Sequence, residues 1–135
     1  MPSMRATDNA RDNPPDEAEQ AEFERQLELM VNEHKSYPSI VSWVIYNEGW
    51  GQITGAYYPE FAITERLREI DPTRLINAVT GWWDHGAGDF SDNHHYAEPQ
   101  CGTPFYSQAN MPYDPNRIGI QGEFGGIGHI PSDEQ

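Results

Sequence analysis

The run "IVSWVIY", Ile40 to Tyr46, is apolar at both odd and even positions. A strand with one wet face alternates, so apolar residues on both parities predict a strand covered on both sides, as in a parallel sheet. Parallel strands need long crossover connections, and the flanking segments supply them. Upstream, Phe23, Leu27, Met30, Val31 and His34 recur at helical spacing from Asp16 onward. Acids fill the first turn, where the helix dipole favours them, and Pro38 ends the helix. Downstream, Pro59 suits the first turn of a helix running to Ile70, with Ile63, Leu67 and Ile70 as its apolar stripe. "LINAV" follows as a short strand, "FSDNHHY" as a weaker one and "RIGIQGEF" as the last. "AEPQCGTPFYSQANMPYDPN" carries too many proline and turn residues for a full-length helix. Helices alternating with strands in this order predict an α/β fold with a parallel sheet.

With 135 residues the chain has the length of one domain. Its 8 Lys and Arg against 22 Asp and Glu leave a formal charge of -14, which argues against nucleic acid and anionic membrane as partners, since both require clustered cations. No apolar run approaches the ~18 residues of a membrane span. Cys101 is the only cysteine. It has no second cysteine to pair with and no histidine arrangement that would make it a nucleophile, so it reads as an ordinary thiol.

Two strands end in glutamate: "VIYNEGWGQ" carries Glu48 and "RIGIQGEFGG" carries Glu123. In a β/α barrel, functional groups gather at the C-terminal strand ends, which is where Glu48, Trp82, Tyr96 and Glu123 all fall. Two carboxyls facing each other across a sugar are what glycoside hydrolysis needs. One protonates the leaving oxygen and the other attacks the anomeric carbon, ~5 to 5.5 Å apart for retention. One must hold a proton while the other stays ionised, so their surroundings should differ. Asn47 and Trp50 flank Glu48, whereas Gly122, Gly125 and Gly126 surround Glu123. Trp82 and Trp83, in a glycine-bearing loop, could form an aromatic wall for a sugar face, while Trp43, in mid-strand, reads as core. His94 and His95 are adjacent on a strand and point to opposite faces, so they cannot readily share a metal ion. One of them, taken as His95, could contact the sugar, and neither a metal nor a cofactor is expected. Asp84 and Asp89 read first as turn formers and second as hydroxyl ligands.

"YPSIVSWVIYNEGWG" resembles the acid/base strand of glycoside hydrolase family 2, the β-galactosidase and β-glucuronidase group, and "GIQGEFGG" resembles that family's nucleophile strand. "DPTRLINAVTGWW" and "SDNHHY" are similar to the segments between them, and the likeness runs from about Asp16 to Gly128. The resemblance implies part of a (β/α)8 TIM barrel, roughly strands four to seven, acting on a carbohydrate substrate by retaining hydrolysis of β-glycosides. It also implies Glu48 as acid/base, Glu123 as nucleophile, Asn47 on the sugar 2-hydroxyl and Tyr96 hydrogen-bonded to the nucleophile. The alternatives are a non-catalytic carbohydrate-binding remnant and a glycosidase of another family in the same barrel clan, mannanase- or cellulase-like. Tyr37 stands where the family usually has histidine before Pro-Ser. Four strands cannot close an eight-stranded barrel, so a fragment is expected. Residues 1–15 would be the loop leaving an absent strand, 16–130 the barrel portion and 131–135 a polar tail. The remaining barrel segments and the family's β-sandwich domains would belong to the full-length protein.

Overall fold

The computed structural model describes residues 15–53, 57–81, 83–95 and 114–124. Nearly all of the expected opening loop, most of the irregular connection, the polar tail and Cys101 lie outside the described residues. Among the described residues the elements are α1 (Glu17–His34), β1 (Ser42–Tyr46), α2 (Pro59–Ile70), β2 (Leu75–Val79), β3 (Phe90–His95) and β4 (Ile118–Phe124). All six stand where the sequence pattern predicts them, in an α/β arrangement with parallel strand pairs.

α1 begins on a capping box: the Glu19 N–H donates to Asp16 Oδ1 at 2.8 Å and the Asp16 N–H donates to Glu19 Oε2 at 3.0 Å. Two of the donors that a helix start leaves unsatisfied are thereby paired. The buried residues of this helix are Gln20, Leu27 and Val31, with Phe23 packed beside them. The predicted stripe is therefore narrower than read: Met30 is 41% exposed and His34 lies in solvent. Gln20 takes a place on the inner face because it bonds the Tyr46 hydroxyl, 3.2 Å away, while the Tyr46 ring stacks on Phe23 at 5.1 Å. Burial pushes that hydroxyl up to about 12, the Gln20 bond opposing it, so it stays protonated. α2 starts with Pro59 in its first turn and buries Ile63 and Leu67, with Ile70 partly covered.

β1 and β2 pair in parallel, Ser42 opposite Leu75 and Tyr46 opposite Val79, and β3 and β4 pair in parallel as a second two-stranded sheet. The core lies between the helices and the first sheet, where Leu27, Val31, Trp43, Ile45, Ile63, Leu67, Ile76 and Ala78 pack together. β1, expected to be covered on both faces, is not: Val44 is 42% exposed, because Ser42 and Val44 line an open cleft opposite the helices. β2 is the strand with both faces covered, being buried from Ile76 to Val79. β4 is exposed or half-exposed along its whole length and pairs only with β3 among the described residues.

The turn from α2 into β2 is held by Asp71. Its carboxylate accepts from the Trp43 indole N–H (2.9 Å), the Thr73 hydroxyl (2.6 Å) and Arg74 Nη1 (2.7 Å). Burial pushes this carboxyl up, but the bonds from Thr73, Trp43 and Arg74 outweigh it and hold the group well below the usual carboxylate range. No helix among the described residues is long and apolar enough to cross a membrane.

Candidate active site

A cleft of about 560 Å³ runs along the strands, from Ser42 and Val44 to Asn47, Thr80, His94 and Glu123 at their C-terminal ends. Past Tyr46 the chain leaves β1 through a turn in which Glu48, Gly49 and Gly51 all have left-handed backbone, with φ of 53°, 74° and 76°. Glycine adopts that region freely; for Glu48 it is a strained conformation, of the kind that costs ~1–3 kcal/mol and persists only where its surroundings enforce it. Thr80, just past β2, does part of the enforcing. Its Oγ1 accepts the Glu48 N–H at 3.1 Å and donates to Asn47 Oδ1 at 2.9 Å. Across the turn, Gly49 lies so close to the Trp83 ring that an added Cβ would come within 2.4 Å of Trp83 Cδ1.

His94 of β3 lies between the two glutamates. Its Nδ1 is 2.8 Å from Glu48 Oε1 and 3.8 Å from Glu123 Oε2, and the ring is almost wholly buried. Gly81 makes room for it: a Cβ there would lie 2.5 Å from His94 Cγ. Gly81→Ala is accordingly expected to push His94 off the glutamates and lower stability by ~1–3 kcal/mol, as overpacking in a tight site does. A urea unfolding curve reads this, and an unchanged midpoint would contradict it.

Glu123 reaches the cleft through an irregularity in strand pairing. Asn93 sits opposite Gln121 but His94 sits opposite Glu123, so Gly122 is the extra residue of a β-bulge. The Gly122 N–H donates to Asp92 Oδ1 at 2.7 Å, and Asp92 Oδ2 accepts from Asn77 Nδ2 at 2.6 Å. One buried carboxylate thus ties β2, β3 and β4 together. Only glycine fits at the bulge, since a Cβ on Gly122 would lie 2.5 Å from Asp92 Oδ2.

The structure brings Glu48, Glu123 and Asn47 together. The Trp83 ring packs against Gly49 beside this group. Trp82, Tyr96 and the side chain of His95 lie outside the described residues. Strand alternation could have found Thr80 only with a register in hand, whereas His94 and Asp92 share the parity of Tyr96 on a regular strand. Asp84 and Asp89 are structural: Asp84 accepts from Arg117 at 2.5 Å and from the Gly86 N–H at 2.8 Å, while Asp89 pairs with Arg68 at 2.8 Å. Glu48, His94 and Glu123 each bring a ligating atom within 4.8 Å of the others, a set that could hold a divalent cation. The obstacle to a His94–His95 pair does not apply to one histidine flanked by carboxylates.

No curated protein matches this chain. The sequence profile described as "Glycosyl hydrolases family 2, TIM barrel domain" matches residues 2–113, a span that takes in Glu48 and His94 and stops short of β4. A profile match over most of the chain, on an α/β fold whose parallel strands end in this cleft, means that the protein belongs to glycosyl hydrolase family 2.

Proposed function

We propose that the cleft is a retaining β-glycosidase site, with Glu123 as nucleophile and Glu48 as acid/base. The observation that carries the reading is the approach of the two carboxyls, whose nearest ligating oxygens lie within 4.8 Å of each other. Such closeness suits direct attack by a carboxylate; inverting enzymes need ~6.5–9.5 Å to admit a water. The surroundings of the two carboxyls also differ. Glu48 has a side chain 16% exposed and 2.8 Å from an imidazole nitrogen, whereas Glu123 is 45% exposed.

In the first step a Glu123 oxygen forms a bond to the anomeric carbon as the glycosidic C–O bond breaks, and Glu48 gives its proton to the departing oxygen. In the second, Glu48 takes a proton from water as the water oxygen displaces Glu123, releasing the sugar with its configuration retained. His94 Nδ1 can donate to an ionised Glu48 or accept from a protonated one, so it fits both halves of the cycle. Asn47, its Oδ1 occupied by Thr80, offers its N–H donors to a sugar hydroxyl. Trp83, half-exposed beside the turn, offers part of an aromatic face at the rim, and Trp82, His95 and Tyr96 remain candidate substrate contacts.

The four strands read as roughly the fourth to seventh of a barrel to which residues 16–130 belong. Val44, Ile118, Ile120 and Phe124 are 40 to 72% exposed on the inner or outer faces of strands, surface that a closed barrel would cover. The test is a panel of fluorogenic β-glycosides together with a 2-deoxy-2-fluoro glycoside that accumulates the covalent intermediate. Turnover with retention, and a sugar adduct mapped to Glu123, are expected. Inverted product, or an adduct on another residue, would refute the assignment.

A further inference from the structure

The glutamate-bearing turn continues into a residue that the proposed mechanism leaves unused. Gln52 is fully buried, and its Nε2 donates to Glu60 Oε1 at 2.9 Å and to the Trp83 carbonyl at 3.2 Å. Glu60 is fully buried as well, in the first turn of α2, where the helix dipole favours a carboxylate. The same Oε1 lies 2.5 Å from His85 Nδ1, and the His85 ring stacks on Tyr58 with centroids 4.0 Å apart.

This cluster joins three segments, adding to the contact between Gly49 and the Trp83 ring that already links two of them. One is the turn that carries Glu48, another is the start of α2, and the third is the loop of Trp83 and His85. Glu48 and Trp83 are the two non-glycine residues with positive φ, 53° and 63°, among the described residues, and they sit on the two loops so joined. Local backbone preference would relax each of them. Burying an amide and a carboxylate is unfavourable unless they bond to each other, so Gln52 and Glu60 can stay buried only while the bond between them is kept. The unpartnered Gln52 Oε1 and Glu60 Oε2 add to what must be offset.

We infer that Gln52, Glu60 and His85 form a buried clasp that holds the Glu48 turn and the Trp83 loop in their strained conformations, with Gln52 acting as a positioning residue for the Glu48 carboxyl. This rests on the reading of Glu48 as acid/base only for its kinetic consequence; the structural consequence stands by itself.

Both can be measured on Gln52→Met, which is close in size and cannot donate, and on Glu60→Gln, which keeps the shape of the helix start should the first variant fold poorly. In hydrogen exchange, the Glu48 and Trp50 amides, bonded to Thr80 Oγ1 and Asn47 O, are expected to lose protection by ~10-fold or more while Leu67 and Ile76 keep theirs. In kinetics, a displaced general acid should lower kcat/KM by up to ~100-fold for glycosides with poor leaving groups. Dinitrophenyl glycosides, which need no proton to depart, should change little.

Unchanged exchange in the turn in both variants would overturn the clasp. So would equal loss for both leaving-group classes with the core amides deprotected, since that is general destabilisation. Absence of turnover in every form would instead refute the glycosidase reading, and the exchange data would still decide the clasp.

Discussion

Glu48→Ala is expected to reduce kcat/KM by ~10²–10⁴-fold on alkyl and phenyl β-glycosides, the range that a positioned general acid contributes. Dinitrophenyl glycosides should lose far less in kcat/KM, because their leaving group departs as a stable anion. The covalent intermediate should then accumulate, since no base remains to activate water. Added azide, a nucleophile that requires no base, should restore kcat and yield a glycosyl azide of retained configuration. The same experiment on Glu123→Ala should show loss on every leaving group and no recovery of that product. The contrast assigns roles instead of merely registering damage. Loss in Glu48→Ala that is independent of the leaving group, with no azide product, would remove Glu48 from the acid/base role. The enforced φ of 53° at this residue gives a second reason to expect sensitivity, because the carboxyl depends on its turn as much as on its own chemistry.

The largest expected effect on stability lies elsewhere, at Asp71. Asp71→Ala removes the acceptor for the buried Trp43 indole and for Arg74 Nη1, and breaking such a buried pair typically costs ~3–5 kcal/mol. The lower end is expected, because Arg74 keeps the Tyr37 and Ile40 carbonyls at 2.7 and 2.8 Å. A fall in Tm of roughly 10 °C should follow for a chain of this size. The pH dependence has a definite sign. The folded carboxyl is depressed, so its stabilisation is present above the ordinary carboxylate range near 4 and is lost as pH falls further. The gap between wild type and Asp71→Ala in urea titrations should therefore be widest near neutrality and close progressively below pH ~4. A gap that is constant down to acid pH would mean that the Asp71 charge contributes nothing.

Much of the fold could be read from the chain because its helices and strands carry strong local signals. Pro59 at a helix start, acids after Asp16 and the apolar run of β2 each agree with the tertiary structure. Periodicity erred where burial depends on partners that no local pattern reveals. Met30 has helical spacing but stays exposed, Gln20 has a buried neighbour in Tyr46, and Val44 faces an open cleft. The placing of both glutamates at strand ends was legible because each follows an apolar run beside glycine. His94 was the harder residue. On a regular strand Tyr96 shares its parity with His94 and Asp92, which is the pattern signal that pointed toward His94. Gln52, Glu60 and His85 left no signal, since they come together only after α2 has packed.

The bulge at Gly122 bears on how such a site can change over time. Read as an address system, a parallel strand assigns every side chain to one side or the other by counting in twos, and Gly122 inserts one step into the count just before Glu123. Substitutions move along this system without altering any address, whereas a single insertion or deletion between Ile120 and Glu123 would send the carboxyl to the opposite side. Asp92 stabilises the extra step by accepting the N–H that the bulge takes out of the ladder. Descendants of this chain can therefore vary their sugar contacts freely, while the length of this short segment and the residues at 92 and 122 must change together or stay as they are.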